Sequence, residues 1–95
     1  MLIQKGFSSG DVISLKLING DEIIARFEEE TDAYIKISKP LAITIGAQGL
    51  GMIPWMFLGE TDTFKLKNEH IFAAVVAKKD AADQYLQGTT GIALR

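Results

Sequence analysis

Near its start the chain alternates apolar and polar side chains as a half-buried β-strand does. In residues 12–18, VISLKLI, the odd positions 13, 15 and 17 carry large aliphatic side chains, which is the period of two that strands have. Asn19-Gly20 follows, and because both residues tolerate positive φ, this pair predicts a type I′ hairpin turn. EIIARFE, residues 22–28, is then predicted as the returning strand.

Acidic residues interrupt this pattern before it resumes. The run from Glu28 to Asp32, EEETD, predicts a charged loop, and its consecutive side chains cannot all converge on one divalent cation, so we expect them to be solvated. YIKI, residues 34–37, alternates again. Pro40 has no N–H to give to a strand ladder, which predicts a place at a sheet edge or a bend.

The middle of the chain lacks charge altogether. Residues 40–59 contain no charged side chain, over about the length that a helix needs to cross a bilayer. However, glycines and two prolines interrupt the run, and its first part alternates with a period of two. The pattern therefore predicts two apolar strands around a glycine-rich turn rather than a membrane span. Its turn, GAQGLG in residues 46–51, lacks the lysine of a phosphate-binding loop, so phosphate binding is not expected there.

Two more strands and a helix complete the pattern. FKLK, residues 64–67, alternates, and residues 70–76, HIFAAVV, have β-branched character. A short helix is predicted over about residues 80–87, because Asp80 is a suitable N-cap and Gly88 a suitable residue just beyond the C-terminus.

Length and composition place these elements in one domain, residues 1–95. With 95 residues and 47% apolar side chains, the chain can bury one modest core. Five or six short strands from about residue 12 to residue 77 predict a mostly β fold, a small and strongly bent sheet or barrel with an apolar central hairpin. The N-terminal residues lack the apolar region of a signal peptide and the chain has no cysteine, so we expect a cytoplasmic protein.

The inventory of reactive side chains argues against an enzyme. Ser8 and Ser9 near Asp11 have no paired histidine and no nucleophile elbow, so they are predicted to be turn residues. His70 is the single histidine and there is no cysteine, which leaves neither a thiolate nor a histidine cluster for a metal. We therefore expect a non-enzymatic protein with no cofactor and no metal. A net charge of −2 excludes the strongly basic surface of a protein that coats duplex DNA.

Basic and aromatic residues interleave in the segments predicted as strands. An aromatic ring can stack on a base while nearby ammonium groups meet phosphate, but lysines that extend from a half-buried strand have the same pattern. The sequence leaves both interpretations open. The residues concerned are Tyr34, Lys36, Lys39, Phe64, Lys65 and Lys67.

A dense apolar stretch predicts an interface. Six of the seven residues from Met52 to Leu58 are large and apolar, and exposed apolar clusters of this kind mark interaction sites. Trp55, Met56 and Phe57 are the candidate contact residues. Because a small open sheet leaves strand edges unpaired, we also expect the chain to associate with itself.

The order of these motifs resembles the Sm and Sm-like (LSm) family from about Asp11 to Val76. The first family motif is matched by LING at residues 17–20, by the strand that follows it, and by YIKI after Asp32. The second motif is echoed by LKNEHI at residues 66–71. The apolar hairpin and the C-terminal helix are similar to the variant Sm-like proteins of tailed phages.

This resemblance implies a bent five-stranded barrel whose copies join edge to edge into a homo-oligomeric ring, with single-stranded RNA held by the two motif loops. Tyr34 matches the residue that stacks on a base. Lys36 falls where the family has an asparagine that reads the base edge, Lys67 where it has an arginine, and Glu69 where it has an acidic partner. The alternative from the apolar stretch is a structural or assembly adaptor that binds protein rather than RNA.

Overall fold

The computed structural model describes residues 2–3 and 6–90. Within them it contains seven strands in one sheet, a short 3₁₀ turn and one α-helix. In chain order the elements are β1 (Leu2–Ile3), β2 (Val12–Leu17), β3 (Glu22–Glu30), β4 (Tyr34–Gly46), β5 (Gly49–Pro54), β6 (Thr63–Lys67), the 3₁₀ turn (Asn68–His70), β7 (Ile71–Val76) and α1 (Lys79–Thr90). The prediction of a mostly β fold followed by one helix is confirmed.

The strands lie in the order β1-β7-β2-β3-β4-β5, and β6 also pairs with β4. On β4, residues 34–38 pair with β6 and residues 41–46 pair with β5, so these two strands follow one another along the same edge. Neighbouring strands are antiparallel except for β1, which runs parallel to β7. Strand β1 was not predicted from the sequence.

The sheet must bend strongly because of one short connection. In a flat sheet, β6 and β7 would be about 19 Å apart, since four steps of ~4.8 Å separate them. The chain from Lys67 to Ile71 can span at most about 14 Å, and it is wound into the 3₁₀ turn. The sheet therefore curls so that its two ends approach. No pairing between β6 and β7 closes it among the residues described, so it is an open, bent sheet.

Apolar side chains are buried on both faces of this sheet. The first core lies inside the bend, and Ile13, Leu15, Ile23 and Ile37 are among its fully buried members. The second core lies between the outer face and α1, where Ile24 and Tyr85 are fully buried. The helix therefore covers part of the outer face and leaves the rest of that face open.

A bulge at Lys39 allows side chains of β4 to pack in both cores. The odd-numbered residues of β4 pack in the first core before this point and in the second core after it. The register with β3 shifts here, because Arg26 opposes Ser38 whereas Ile24 opposes Leu41. Lys39 has a φ of 50°, the left-handed conformation that often accompanies an extra residue in a strand. Pro40 follows directly, so the proline does lie at a bend, within the strand.

The predicted charged loop over Glu28 to Asp32 is wrong for its first three residues. Strand β3 continues to Glu30, and the loop before β4 is correspondingly short. The extended backbone is retained because Glu30 pairs with Ile35 and because the Glu28 carboxylate accepts a 2.5 Å hydrogen bond from the Ser38 hydroxyl. A cross-strand partner thus outweighs the low strand propensity of glutamate.

Two smaller predictions also need correction. The turn after β2 is closed by the Gly20 N–H donating to the Leu17 carbonyl oxygen at 2.9 Å, and Gly20 alone in it has positive φ, so it is not the predicted type I′ turn. Helix α1 begins at Lys79 rather than after Asp80, and it continues through Gly88 to Thr90. Within it, the Asp80 carboxylate accepts from the Ala81 N–H at 2.9 Å.

The uncharged segment forms strands and a loop, which confirms the predicted hairpin of two apolar strands. Across residues 2–3 and 6–90, no helix is long and apolar enough to cross a membrane.

Candidate nucleic-acid interface

Strands β4 and β6 bring an aromatic ring and three lysines onto one face of the sheet. Tyr34 lies directly opposite Lys67, and Lys36 lies directly opposite Lys65. Residues that face each other across a ladder, or that lie two apart along a strand, share a face. The Lys65 ammonium lies 5.0 Å from the centroid of the Tyr34 ring, within cation–π range. We call these four residues the basic-aromatic patch.

Alternation along the two strands keeps this patch on the surface. Ile35 and Ile37 are fully buried in the first core, and Phe64 and Leu66 of β6 pack against that core. The intervening side chains must point the other way. The two lysines of β6 are exposed, whereas Tyr34 and Lys36 are half-buried.

An acidic side chain borders the patch at the end of β3. The Tyr34 hydroxyl donates to Glu29 Oε2 at 3.1 Å, and Glu29 lies opposite Lys36 in the ladder. This bond holds the phenol end of the ring, while Lys65 lies over its face. The three lysines outnumber Glu29, so the patch keeps an excess of positive charge.

Hydrogen bonds join the two loops that end at the patch. The Asn68 side-chain amide donates to the carbonyl oxygen of Asp32 at 3.0 Å and, more weakly, to that of Thr31 at 3.4 Å. The Asn68 backbone N–H donates to the Ala33 carbonyl oxygen at 2.9 Å. The Thr31 hydroxyl oxygen in turn accepts from the Tyr34 N–H at 3.2 Å. Segments 35 residues apart in sequence are thereby fixed beside the ring.

The predicted RNA-binding residues are partly brought together. Tyr34, Lys36 and Lys67 share the patch, whereas Glu69 lies in the exposed 3₁₀ turn, with its Oε2 3.8 Å from His70 Nε2. The site prediction omitted Lys65, which the geometry places closest to the ring. The alternation of residues 64–67 indicated that Lys65 belongs to the site, because it puts Lys65 and Lys67 on one face of the strand.

The predicted contact residues Trp55, Met56 and Phe57 differ in their surroundings. Trp55 is half-buried against the first core and meets Phe64 edge to face, with ring centroids 5.7 Å apart. Met56 and Phe57 are 48% and 70% exposed, and the neighbouring Leu58 is 98% exposed. The accessible apolar loop is therefore residues 56–58, and Trp55 anchors it to the core.

A comparison with models of known protein families finds no match to this chain, and a comparison with curated proteins finds none either. In the described part of the chain, no group of three or more histidine, cysteine, aspartate or glutamate side chains is placed to hold a metal ion. What the patch can bind therefore follows from its own geometry. It offers one ring for stacking and three ammonium groups for an anion.

Proposed function

We propose that the chain is a non-enzymatic Sm-like protein that binds single-stranded RNA at the basic-aromatic patch and assembles into a homo-oligomeric ring. The observation that carries the proposal is the position of Tyr34 directly opposite Lys67 with Lys65 over its ring. A base can stack on the tyrosine if Lys65 moves from the ring to a phosphate, and stacking with phosphate contacts is the usual chemistry of single-strand binding.

The same residues indicate weak base selectivity. A lysine donates hydrogen bonds but accepts none, so Lys36 cannot read a base edge with both a donor and an acceptor. Lys67 lacks the planar, forked guanidinium of an arginine, which limits bidentate recognition. We therefore expect binding that tolerates different sequences and depends on salt.

The strand order supports the Sm-like part of the proposal. Five antiparallel strands follow the order β7-β2-β3-β4-β6, which is the number of strands that the resemblance implies, and β5 is inserted in the chain between β4 and β6. An edge-to-edge ring would join the β6 end of one copy to the β7 end of the next. Strand β1 pairs with Ala73 and Ala74 of β7, so ring closure requires β1 to leave that edge.

Fluorescence anisotropy of a labelled oligouridine, titrated with the protein at about 50 and 200 mM salt, tests the RNA proposal. Tyr34→Ala should weaken binding about 5- to 150-fold, since a stacked base contributes ~1–3 kcal/mol. Lys67→Ala should reduce the slope of the logarithm of the binding constant against the logarithm of salt concentration by about 0.7 per lost phosphate contact.

Lys78→Ala is the matched control, because Lys78 is an exposed lysine outside the patch, between β7 and α1. It should leave the affinity nearly unchanged. Equal effects of all three substitutions would point to unspecific attraction. Unchanged affinity in Tyr34→Ala and Lys67→Ala would refute the site.

A second candidate is a structural adaptor that binds a protein partner. The exposure of Met56, Phe57 and Leu58 favours it, since contiguous apolar side chains on a surface mark interaction sites. Phe57→Asp should abolish such binding while leaving oligouridine affinity intact, and this separates the two proposals.

A further inference from the structure

The outer edge of β5 offers backbone hydrogen-bonding groups that have no strand partner among the residues described. The Trp55 N–H donates to the Pro40 carbonyl oxygen at 3.1 Å, and the β4–β5 register continues from there without a shift. Because bonding direction alternates along an antiparallel strand, the odd-numbered residues of β5 face β4. Leu50 and Met52 therefore direct their N–H and C=O groups outward.

This edge lacks the charges that usually protect one. Natural sheets guard exposed edges with lysines, bulges or very short strands. Strand β6 carries Lys65 and Lys67, and β1 has only two residues. Strand β5 belongs to residues 40–59, in which no side chain is charged. A second β5 can approach this edge without electrostatic repulsion.

Apolar side chains flank the same edge. Leu50 and Ile53 of β5 are 46% and 42% exposed, and Ile45, opposite Leu50 on the β4 edge of the hairpin, is 83% exposed. A strand added to β5 would cover part of this apolar surface while it pairs with the backbone. Both faces of the hairpin therefore favour addition of an equally apolar strand.

We propose that β5 pairs antiparallel with β5 of a second copy of this chain, about a twofold axis. An antiparallel edge is complementary to itself, and with Leu50 opposite Met52 of the second copy, both outward N–H groups of each chain find a carbonyl oxygen. Four intermolecular backbone hydrogen bonds result. This pairing places no charged side chains opposite each other, because no residue of β5 is charged, and the twofold axis makes each copy the complement of the other.

The β5 pairing is independent of the proposed ring. A ring uses two different edges and repeats around an axis, whereas the β5 contact uses the same residues on both copies. It joins either two free chains or two rings. The inference therefore stands if RNA binding or ring formation fails.

Amide hydrogen exchange measured by NMR, together with light scattering, tests the pairing on the full chain. The amides of Leu50 and Met52 should exchange slowly at high protein concentration and at least tenfold faster on dilution. The amide of Ile45 should exchange fast throughout, because it points away from β5 and lies beyond the last β3–β4 pair at Ala42. A chain that stays at 10.4 kDa, with Leu50 exchanging as fast as Ile45, would overturn the proposal.

Leu50→Pro and Ile45→Pro form a matched pair of variants. Each removes one N–H that the hairpin does not use, at positions opposite each other on its two edges. Leu50→Pro should halve the number of subunits in the assembly, and Ile45→Pro should leave it unchanged. Equal subunit numbers in both variants and the wild type would contradict the pairing, whether or not a ring is present.

Discussion

The hydroxyl of Tyr85, near the middle of α1, donates a 2.8 Å hydrogen bond to the backbone carbonyl oxygen of Lys39 at the bulge of β4. The carbonyl oxygen of Ser38 lies 3.2 Å from the same hydroxyl. Tyr85 is fully buried, so this contact ties the helix to the point where β4 changes from the first core to the second.

The stability of the protein should fall in strong alkali because of Tyr85. Burial raises the pKa of Tyr85 to about 12 from its ordinary value of 10.0, although the positive charge of Arg26 lowers it in part. The folded state therefore holds this proton more tightly than the unfolded state does. The stabilisation is complete below pH 10 and is lost as the pH rises through about 12, by ~2–3 kcal/mol.

Urea denaturation of the wild type and Tyr85→Phe at several pH values measures this effect. At neutral pH the variant should be less stable by about 1–2 kcal/mol, because the Lys39 carbonyl loses its hydrogen-bond donor. The difference should shrink above pH 10 and reverse as the pH rises through about 12, because the wild type then loses more stability than the hydroxyl contributes at neutral pH. A difference that stays constant over that range would show that the hydroxyl does not titrate with folding.

A second prediction concerns the backbone at Lys39. Its φ of 50° is tolerated by asparagine but strongly disfavoured for a β-branched residue. Lys39→Val should therefore destabilise the protein by about 1–2 kcal/mol, whereas Lys39→Asn should have almost no effect. Thermal unfolding of both variants tests this, and equal melting temperatures would mean that the bulge relaxes without cost.

The bulge also shows where sequence patterns stop predicting this fold. Alternation located the strands, because each local segment buries one face. It could not show that β4 continues past Pro40, since the first and second halves of that strand bury opposite faces. This change of the buried face depends on α1, in which Tyr85 contacts β4 from 46 residues away in the sequence. The extension of β3 to Glu30 likewise depends on partners from β4.

Trp55 and Phe57 should respond very differently to the same substitution. Trp55 packs against the first core and meets Phe64 edge to face, so Trp55→Asp should lower the free energy of unfolding by about 2–4 kcal/mol. Phe57 is 70% exposed, and Phe57→Asp should change the free energy of unfolding by no more than ~0.5 kcal/mol. Urea denaturation provides the measurement. A large loss of stability in Phe57→Asp would mean that the loop is packed in solution.

The candidate site was partly predictable for a related reason. Residues two apart on a strand share a face, so the positions of Tyr34 and Lys36 followed from the sequence alone. The sequence did not show which strand lies opposite them, because the β4–β6 ladder joins segments about 30 residues apart. The proximity of Lys65 to the ring therefore emerged only from the register.

Asn68 should act on RNA binding by positioning the loops. Its side-chain amide donates to the carbonyl oxygens of Asp32 and Thr31, and Asn68→Asp replaces this donor with a carboxylate that only accepts. We expect a loss of about 1–3 kcal/mol in folding stability and weaker binding of oligouridine. The exposed neighbour provides the control, since Glu69→Gln removes a charge without breaking either bond.

The salt dependence of binding distinguishes this role from a phosphate contact. If Asn68 positions Tyr34, the Asn68→Asp variant should bind more weakly at every salt concentration with an unchanged slope, because the number of ammonium groups on phosphate is the same. Lys67→Ala should instead reduce the slope. Anisotropy titrations of both variants over a range of salt measure the two slopes. An unchanged affinity in Asn68→Asp would contradict the positioning role, because binding would then not depend on the bonds that join the two loops.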